Sequence, residues 1–474
     1  MKILTFVLLL LLTGTASAAT PPSTIANDDS CDVALLPAAT LLLPYFEVDF
    51  LSPSTTAYTT LFTVQNTTAQ PQIARVTLWT DWAYPMLTFN IFLTGYDIQS
   101  INLWDVFARG VIAPGAPGQP GGTSNRTAVP QNFWPPGAQP LQNDQNPHFL
   151  ADAATTCASN PGPIDAALLA ELRSAFTTGN ISRPDCMVAN KVGSNNHGAN
   201  AVGYATIDVV ANCNANSPLS AFYFDRELLF DNVLLGDAQH LSPNSVTGNY
   251  AGGNPLVHIR AVPEGGAAGS VVATDLPYTF YDLYTTGAAV RTQDRRQPLP
   301  SAFMTHFIEG GTAAFNTKLQ IWREALAAPT SCPIAYSSNA SVEIADEVRF
   351  DEHENATYVP CAGIVGEHPC PNPLLASTSS HPMTYELFPP AATSGDIAGW
   401  IYLNLNNRGS SAYSSTRNYG FGSTVVGRRQ SQGWVVTSMF AEGRFAVEMD
   451  APAVGNGCSP APDLSTRAAI GPAP

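Results

Sequence analysis

The sequence has few charged residues and almost no lysine. Asp, Glu, Lys and Arg together make up 12% of its 474 residues, and the formal net charge is −16. Nucleic-acid binding needs a basic patch, and an acidic chain of this kind repels phosphates and anionic lipids. We therefore expect no nucleic-acid partner. With 45% hydrophobic residues the chain can still bury a sizeable core, which excludes wholesale disorder.

The sequence also lacks the short motifs that mark common catalytic sites. It contains no G-x-S-x-G nucleophile elbow, no Gly-Lys dipeptide of a P-loop, and no G-x-G-x-x-G after a strand. His353-Glu354 begins like a zinc-binding H-E-x-x-H helix, but Thr357 stands where the second histidine is required. No motif therefore identifies a catalytic or cofactor site.

No apolar run in the sequence is long enough to cross a bilayer as a helix, which takes roughly 20 residues. At the N-terminus, Met1-Lys2 precedes the apolar run Ile3–Leu12, and Ala16-Ser17-Ala18 follows. This order of positive charge, apolar segment and small residues is typical of a cleaved signal peptide; the alternative is an N-terminal membrane anchor. We expect residues 1–18 to be removed and the mature protein to be secreted or periplasmic, with no transmembrane segment.

Eight cysteines follow the expected cleavage site, and no two of them form a C-x-x-C pair. An even number in an exported chain predicts disulfides, up to four of them, rather than a metal site. Cys361 and Cys370 would close a short loop, and Cys31 and Cys458 flank the folded region. The disulfide candidates are Cys31, Cys157, Cys186, Cys213, Cys332, Cys361, Cys370 and Cys458.

Short apolar runs with turn residues between them predict a mostly β protein. Thr60–Val64, Ala74–Trp82 and Leu87–Thr94 are rich in β-branched and aromatic residues, and the two longer runs alternate over most of their length. The pattern favours an antiparallel, immunoglobulin-like β-sandwich. Further strand-like runs are Tyr204–Val210, Pro255–Val262, Tyr278–Tyr284, Val348–Phe350, Ile397–Leu403, Trp434–Phe440 and Arg444–Met449.

One helix is expected between these strands. From Pro163 to Phe176, the apolar residues Ile164, Leu168, Leu172 and Phe176 recur at i, i+4 spacing. Residues 113–148, which precede it, are dominated by Pro, Gly, Asn and Gln, as expected for a long loop.

A weak internal sequence repeat predicts two sandwich units. Leu61–Val64 leads through a turn to Val76–Asp81, and Phe303–Phe307 leads through a turn to Leu319–Glu324; both second strands end in Trp and an acid. Alternatively, aromatic strands simply resemble one another. We expect sandwich units at 31–112 and 291–458, a loop-rich insert at 113–290 with one helix and further strands, and a polar tail at 459–474.

Two clusters suggest binding sites. Asp346, Asp351, Glu352 and Glu354 are dense enough in carboxylates to be candidate calcium ligands, although strand alternation would instead send them into solvent. Calcium is the only cofactor that the sequence suggests.

Aromatic residues form the second cluster. Trp79, Trp82 and Tyr84 lie close together at a strand end, where flat rings could stack on a sugar. Because Trp79 and Trp82 fall on opposite faces of a strand, at least one should instead be a core residue.

Four strings of the sequence resemble those of uncharacterised secreted bacterial proteins. They are TLWTDWAYP (Thr77–Pro85), DNVLLGD (Asp231–Asp237), IWRE (Ile321–Glu324) and GWVVTSMFAEGRF (Gly433–Phe445). The resemblance covers most of the mature chain and implies export and a bacterial source. That group carries no assigned activity, so it supplies no functional residues.

These observations leave two classes of function. The first is an exported, non-catalytic β-sandwich protein that acts as a binding or structural module at the cell surface or outside the cell, with a carbohydrate or a cell-surface protein as partner. The second is a secreted hydrolase whose site is assembled from dispersed residues. A pocket with converging Asp, Glu or His side chains would favour the hydrolase.

Overall fold

The computed structural model describes residues 32–112, 164–182, 192–194, 197–211, 218, 223–244, 248–262, 264, 276, 279–281, 294–324, 344–358, 384–387, 397–407, 432–441 and 444–454. The expected signal peptide, the Pro- and Gly-rich stretch 113–148, the polar tail and all eight cysteines lie outside these residues. Export and the disulfides therefore stay predictions.

The prediction of a mostly β protein with antiparallel strands is confirmed. The strands are β1 Thr40–Val48, β2 Thr59–Asn66, β3 Gln72–Thr80, β4 Pro85–Leu93, β5 Ile98–Asn102, β6 Ala201–Val209, β7 Leu234–Asn244, β8 Gly248–Pro255, β9 Val257–Ile259, β10 Ala302–Ile308, β11 Asn316–Arg323, β12 Ile344–Asp351, β13 Ala356–Tyr358, β14 Thr384–Leu387, β15 Ala398–Asn407, β16 Gly433–Ala441 and β17 Arg444–Asp450. Within the described ranges, no helix is long and apolar enough to cross a membrane.

The strands form four sheets. Sheet I has the order β4-β3-β6-β1-β9, sheet II β5-β2-β7-β8, sheet III β14-β11-β16-β17, and sheet IV β10-β15-β12-β13. Strands from residues 201–259 pair directly with strands from residues 40–102, so the region between the two expected units contributes to the sheets of the first. The immunoglobulin-like class and the two-unit division stay predictions.

Sheet I is covered on both faces, and β1 shows why its sequence is a nearly continuous apolar run. Leu41 packs in a core cluster with Phe62 of sheet II, whereas the next residue, Leu42, packs in a second cluster with Trp322 of sheet III. A strand that is buried on both faces loses the alternation of a half-exposed strand. Sheet I is therefore the central layer between sheets II and III.

The predicted helix is confirmed as α1, Ala166–Thr177. The Asp165 side chain caps it by accepting hydrogen bonds from the backbone N–H groups of Ala167 and Leu168. Its apolar stripe ends in the buried Phe176, whose ring centroid lies 5.1 Å from that of Phe107. The helix thus packs on the core between sheets I and II.

Gly203 in β6 gives a prediction about this packing. A Cβ there would lie 2.3 Å from the carbonyl oxygen of Trp79 and 2.8 Å from Cε1 of Phe176. We expect Gly203→Ala to destabilise the protein by about 1–3 kcal/mol, because backbone and core must move apart. Gly253→Ala is the matched control, since its nearest heavy atom is 3.7 Å away. Equal urea midpoints for the two variants would contradict the prediction.

Candidate functional site

The aromatic cluster that suggested sugar stacking lies in the core. Trp79 and Trp82 are buried, and Tyr84 packs partly buried against the core. The Trp79 indole N–H donates a hydrogen bond of 2.9 Å to Oγ1 of Thr206, and the ring stacks on Tyr204. Neither tryptophan presents an open ring face to a ligand.

The acidic cluster helps to build the turn between β12 and β13. The Asp351 carboxylate accepts hydrogen bonds from the backbone N–H groups of His353 and Asn355, both at 2.8 Å, and from the Asn355 side-chain amide. The Asn355 side chain is the main cause that lowers the pKa of Asp351. Glu352 accepts from the backbone N–H groups of Ile397 and Ala398, at the start of β15. These two acids therefore have protein partners.

Calcium binding at Asp346, Asp351, Glu352 and Glu354 stays a prediction. The structure does not describe the side chain of Asp346. Glu354 is exposed, with a backbone φ of 64°. In the part of the chain that the structure describes, no group of three or more His, Cys, Asp or Glu residues is placed to hold a metal ion.

One group of Asp, Ser and His side chains does converge from distant segments. Asp81 follows β3, and Ser194 and His197 precede β6. The Ser194 hydroxyl donates to Oδ2 of Asp81 at 2.5 Å, and Nε2 of His197 lies 2.8 Å from Oγ of Ser194. No motif could indicate this group, because more than a hundred residues separate Asp81 from the other two.

The hydrogen bonding of this group differs from that of a hydrolytic triad. In a triad, the serine contacts one imidazole nitrogen and the aspartate contacts the other. Here Nε2 of His197 lies close to both partners, 2.9 Å from Oδ2 of Asp81, and the serine donates its proton directly to the aspartate. The Ser194 backbone N–H also donates to Asp81 at 3.0 Å. The group therefore fastens the segment before β6 onto the end of β3.

A cleft opens where residues 32–35 meet β9 and the end of β17. Its volume is about 800 Å³. Five separate stretches of the sequence form its walls, which are mostly apolar. The lining residues are Asp32, Val33, Ala34, Leu35, Pro255, Leu256, Val257, His258, Pro300, Trp434, Asp450, Ala451, Pro452, Ala453 and Val454.

Asp450 is the carboxyl group held most firmly in this cleft. It is the last residue of β17, and the indole N–H of Trp434 on the neighbouring strand β16 donates to its Oδ1 at 2.9 Å. Burial is the main cause that raises the pKa of Asp450; the Trp434 hydrogen bond lowers it, nearby Glu448 raises it, and the net value is about 6. Asp450 is thus mainly a carboxylate at neutral pH and a neutral acid below pH 6.

His258 is the neutral polar group of the cleft. Its Nε2 accepts a hydrogen bond of 3.1 Å from the backbone N–H of Gly236, so the neutral ring carries its proton on Nδ1. Burial lowers its pKa to about 4, and it is therefore uncharged at neutral pH. The described lining contains no lysine or arginine, so Asp32 and Asp450 supply the charge of the cleft.

The raised pKa of Asp450 makes a prediction about stability. A carboxyl whose pKa is higher in the folded state, about 6 against 3.8, stabilises the fold below pH 4 and loses this contribution as pH rises through 6. The loss is at most about 3 kcal/mol. Asp450→Asn keeps an acceptor for Trp434 but cannot ionise, so we expect it to be more stable than wild type at pH 7.5 and equal at pH 4. Parallel curves of unfolding free energy against pH would contradict this.

Comparison with known proteins finds no similar protein. No family model matches the sequence, no curated protein is significantly similar to it, and no solved structure matches its fold. The cleft and the groups that line it are therefore the basis for a functional proposal.

Proposed function

We propose that this chain is an exported, non-catalytic binding protein whose cleft, at β9 and the end of β17, holds a small ligand. The cleft itself is the observation that carries the proposal. It has a volume of about 800 Å³ and mostly apolar walls, with polar groups at a few fixed positions. Ligand sites in proteins have this composition.

The chemistry of the lining favours binding over catalysis. Hydrolases that form a covalent intermediate need a nucleophile beside a base. The described lining includes no Ser, Thr, Cys, Tyr or Lys. The Nε2 lone pair of His258 is already occupied by a backbone N–H. Apart from the two carboxyl groups, Asp32 and Asp450, no described side chain of the cleft can therefore make such an attack.

A secreted hydrolase is the alternative function, and one observation favours it. Asp32 and Asp450 line the same cleft, and the raised pKa of Asp450 would suit a general acid. Glycosidases use two carboxyl groups across the scissile bond. Turnover of a chromogenic glycoside that is lost in both Asp32→Asn and Asp450→Asn would favour this alternative over the binding protein.

Export and disulfide formation complete the proposal. Asp32 follows Cys31 directly, Val454 lies four residues before Cys458, and both line the cleft. Their common position supports a Cys31–Cys458 disulfide beside it. We expect peptide mapping without reductant to find this link, on a mature chain that begins at Ala19 or Thr20. Reduction should cost roughly 2–4 kcal/mol of unfolding free energy. Alkylation of both cysteines in the unreduced protein would contradict the pairing.

A library of small metabolites, screened by the thermal shift of the mature protein, tests the proposed function. Ligands of the cleft should raise the melting temperature of wild type but not of Ala453→Trp, which fills the cleft from an exposed position. Ala170→Trp, an exposed substitution on α1, is the matched control and should respond like wild type. A library in which every response survives Ala453→Trp, or in which none occurs, would contradict the proposal.

A further inference from the structure

We propose that the ligand of the cleft is a small apolar amine, bound as its ammonium ion by the Asp450 carboxylate beside the Trp434 indole. This inference rests on the proposed function and names its ligand class. Three features of the cleft support it: the walls, the geometry of the carboxylate and the sign of the surrounding charge.

The walls suit the hydrocarbon part of such a ligand. Val33, Leu35, Leu256, Val257 and Val454 are among the lining residues, and Leu35 is 66% exposed. A side chain of this size that remains open to water beside a concave surface gains from being covered by an apolar group. The cleft thus favours a compact apolar body over a fully polar one.

The carboxylate suits the ammonium end. Oδ1 of Asp450 accepts the Trp434 N–H, and among the described residues no hydrogen bond to its Oδ2 is present. An ammonium group has three N–H donors and no acceptor, so it complements a carboxylate oxygen with open lone pairs.

The surrounding charges select a cation over an anion. Among the described residues, the ionisable groups that line the cleft with Asp450 or act on it are Glu448 on the same strand, Asp32 and the neutral His258. Glu448 is itself hydrogen-bonded to His240, at 3.0 Å. The chain as a whole carries a net charge of −16, which attracts cations and repels carboxylate ligands.

The test uses three probes of the same shape and different charge: cyclohexylmethylammonium, cyclohexylmethanol and cyclohexanecarboxylate. Each is titrated calorimetrically into the mature full-length protein at pH 7. We expect the ammonium ion to bind at least about tenfold more tightly than the alcohol, and the carboxylate to bind most weakly. Ammonium affinity should also fall about tenfold from pH 7 to pH 5, because the proton on Asp450 must then leave before the ligand can pair.

Two variants assign the effect to Asp450. Asp450→Asn should remove the preference for the ammonium ion while leaving the affinity for the alcohol within about threefold. Asp32→Asn changes the other acid of the cleft, which is exposed, and should alter ammonium affinity by less than about threefold. Circular dichroism of both variants checks that they are folded.

The outcomes separate this inference from the proposed function. Equal or tighter binding of the alcohol or the carboxylate, or an ammonium preference that survives Asp450→Asn, would overturn the amine assignment and leave a binding cleft. If none of the three probes binds while a library compound does, the amine assignment is again wrong. If neither the probes nor any library compound binds, the proposed function itself falls.

Discussion

Asp208→Ala is expected to destabilise the fold by about 3–5 kcal/mol, a large part of the total stability of a typical domain. Asp208 lies in β6 and is completely buried. Its carboxylate accepts hydrogen bonds from the hydroxyls of Tyr223 at 2.5 Å and Tyr281 at 2.7 Å, and also from Thr40. The Arg296 guanidinium lies 3.6 Å away. Because all four partners converge on one carboxylate, the alanine variant leaves them without their shared acceptor.

The loss of unfolding free energy comes from the buried partners that Asp208→Ala leaves without their acceptor. Arg296 is fully buried and would keep Asp294, at 3.4 Å, as its one acidic partner among the described residues. Burial raises the pKa of both tyrosines well above their usual value, so they stay neutral donors and cannot compensate for the lost charge. Buried donors without an acceptor, and a buried cation with less compensation, are among the most destabilising changes that a core can suffer.

Urea denaturation at pH 7 measures the effect. Asp105→Ala is the matched control, because Asp105 also pairs with an arginine, Arg109 at 2.9 Å, but through an exposed i, i+4 contact. That pair should contribute less than about 1 kcal/mol. Asp208→Ala within about 1 kcal/mol of wild type would show that the buried network does not hold sheet I to the segments around Tyr223 and Arg296.

Glu448→Ala is expected to lower the unfolding free energy by about 3 kcal/mol, because it removes a different buried contact. Glu448 in β17 of sheet III accepts a hydrogen bond from Nδ1 of His240 at 3.0 Å, and His240 lies in β7 of sheet II. Ser438 adds a weaker donor at 3.3 Å. Both partners of the Glu448–His240 pair are buried, so removal of the carboxylate leaves a buried imidazole without it.

Glu448→Gln provides the control for this prediction. The amide keeps an acceptor for His240 but carries no charge, so we expect a loss of less than half that of the alanine variant. Thermal unfolding followed by circular dichroism compares the two. Equal losses would indicate that the charge, rather than the hydrogen bond, supplies the stabilisation, and no loss in either variant would contradict the described contact.

Most strands were predictable from runs rich in β-branched and aromatic residues. The alternation in Leu87–Thr94 predicts β4, and Trp434–Phe440 lies within β16. The alternating pattern of Ala74–Trp82 continues beyond the end of the strand that it predicts. β3 ends at Thr80, and a turn follows in which Ala83 takes a φ of 61°. Alternation continues into such a turn because its tryptophan is also buried.

Two segments were predicted wrongly from the sequence, one strand that was missed and one run that is not a strand. β1 was missed because it is buried on both faces and contains Pro44, so it alternates poorly. Tyr278–Tyr284 was predicted as a strand, but its described residues 279–281 form none. Phe280 and Tyr281 are apolar there because their rings fill the core beside sheet III. A single pair of packed rings thus imitates a short strand in the sequence.

The cleft could not be predicted from the sequence. Its lining comes from residues 32–35, 255–258, 300, 434 and 450–454, which only the packing of the sheets brings together. The Trp434–Asp450 contact is the part that pattern reasoning could have found, since the two residues lie on adjacent strands of the hairpin β16–β17. Reasoning from composition instead selected Asp351 and Glu352, whose carboxylates have backbone partners.

The indole N–H resonance of Trp434 reports most directly on the central claim that the cleft binds a ligand. Its ¹⁵N–¹H signal, assigned by its disappearance in Trp434→Phe, comes from the proton that is donated to Asp450. We predict that titration with cyclohexylmethylammonium at pH 7 shifts this signal saturably, and that other tryptophan indoles such as Trp79, buried in the core, shift far less. A Trp434 signal that stays unchanged with this probe, and with every compound of the metabolite library, would contradict the account.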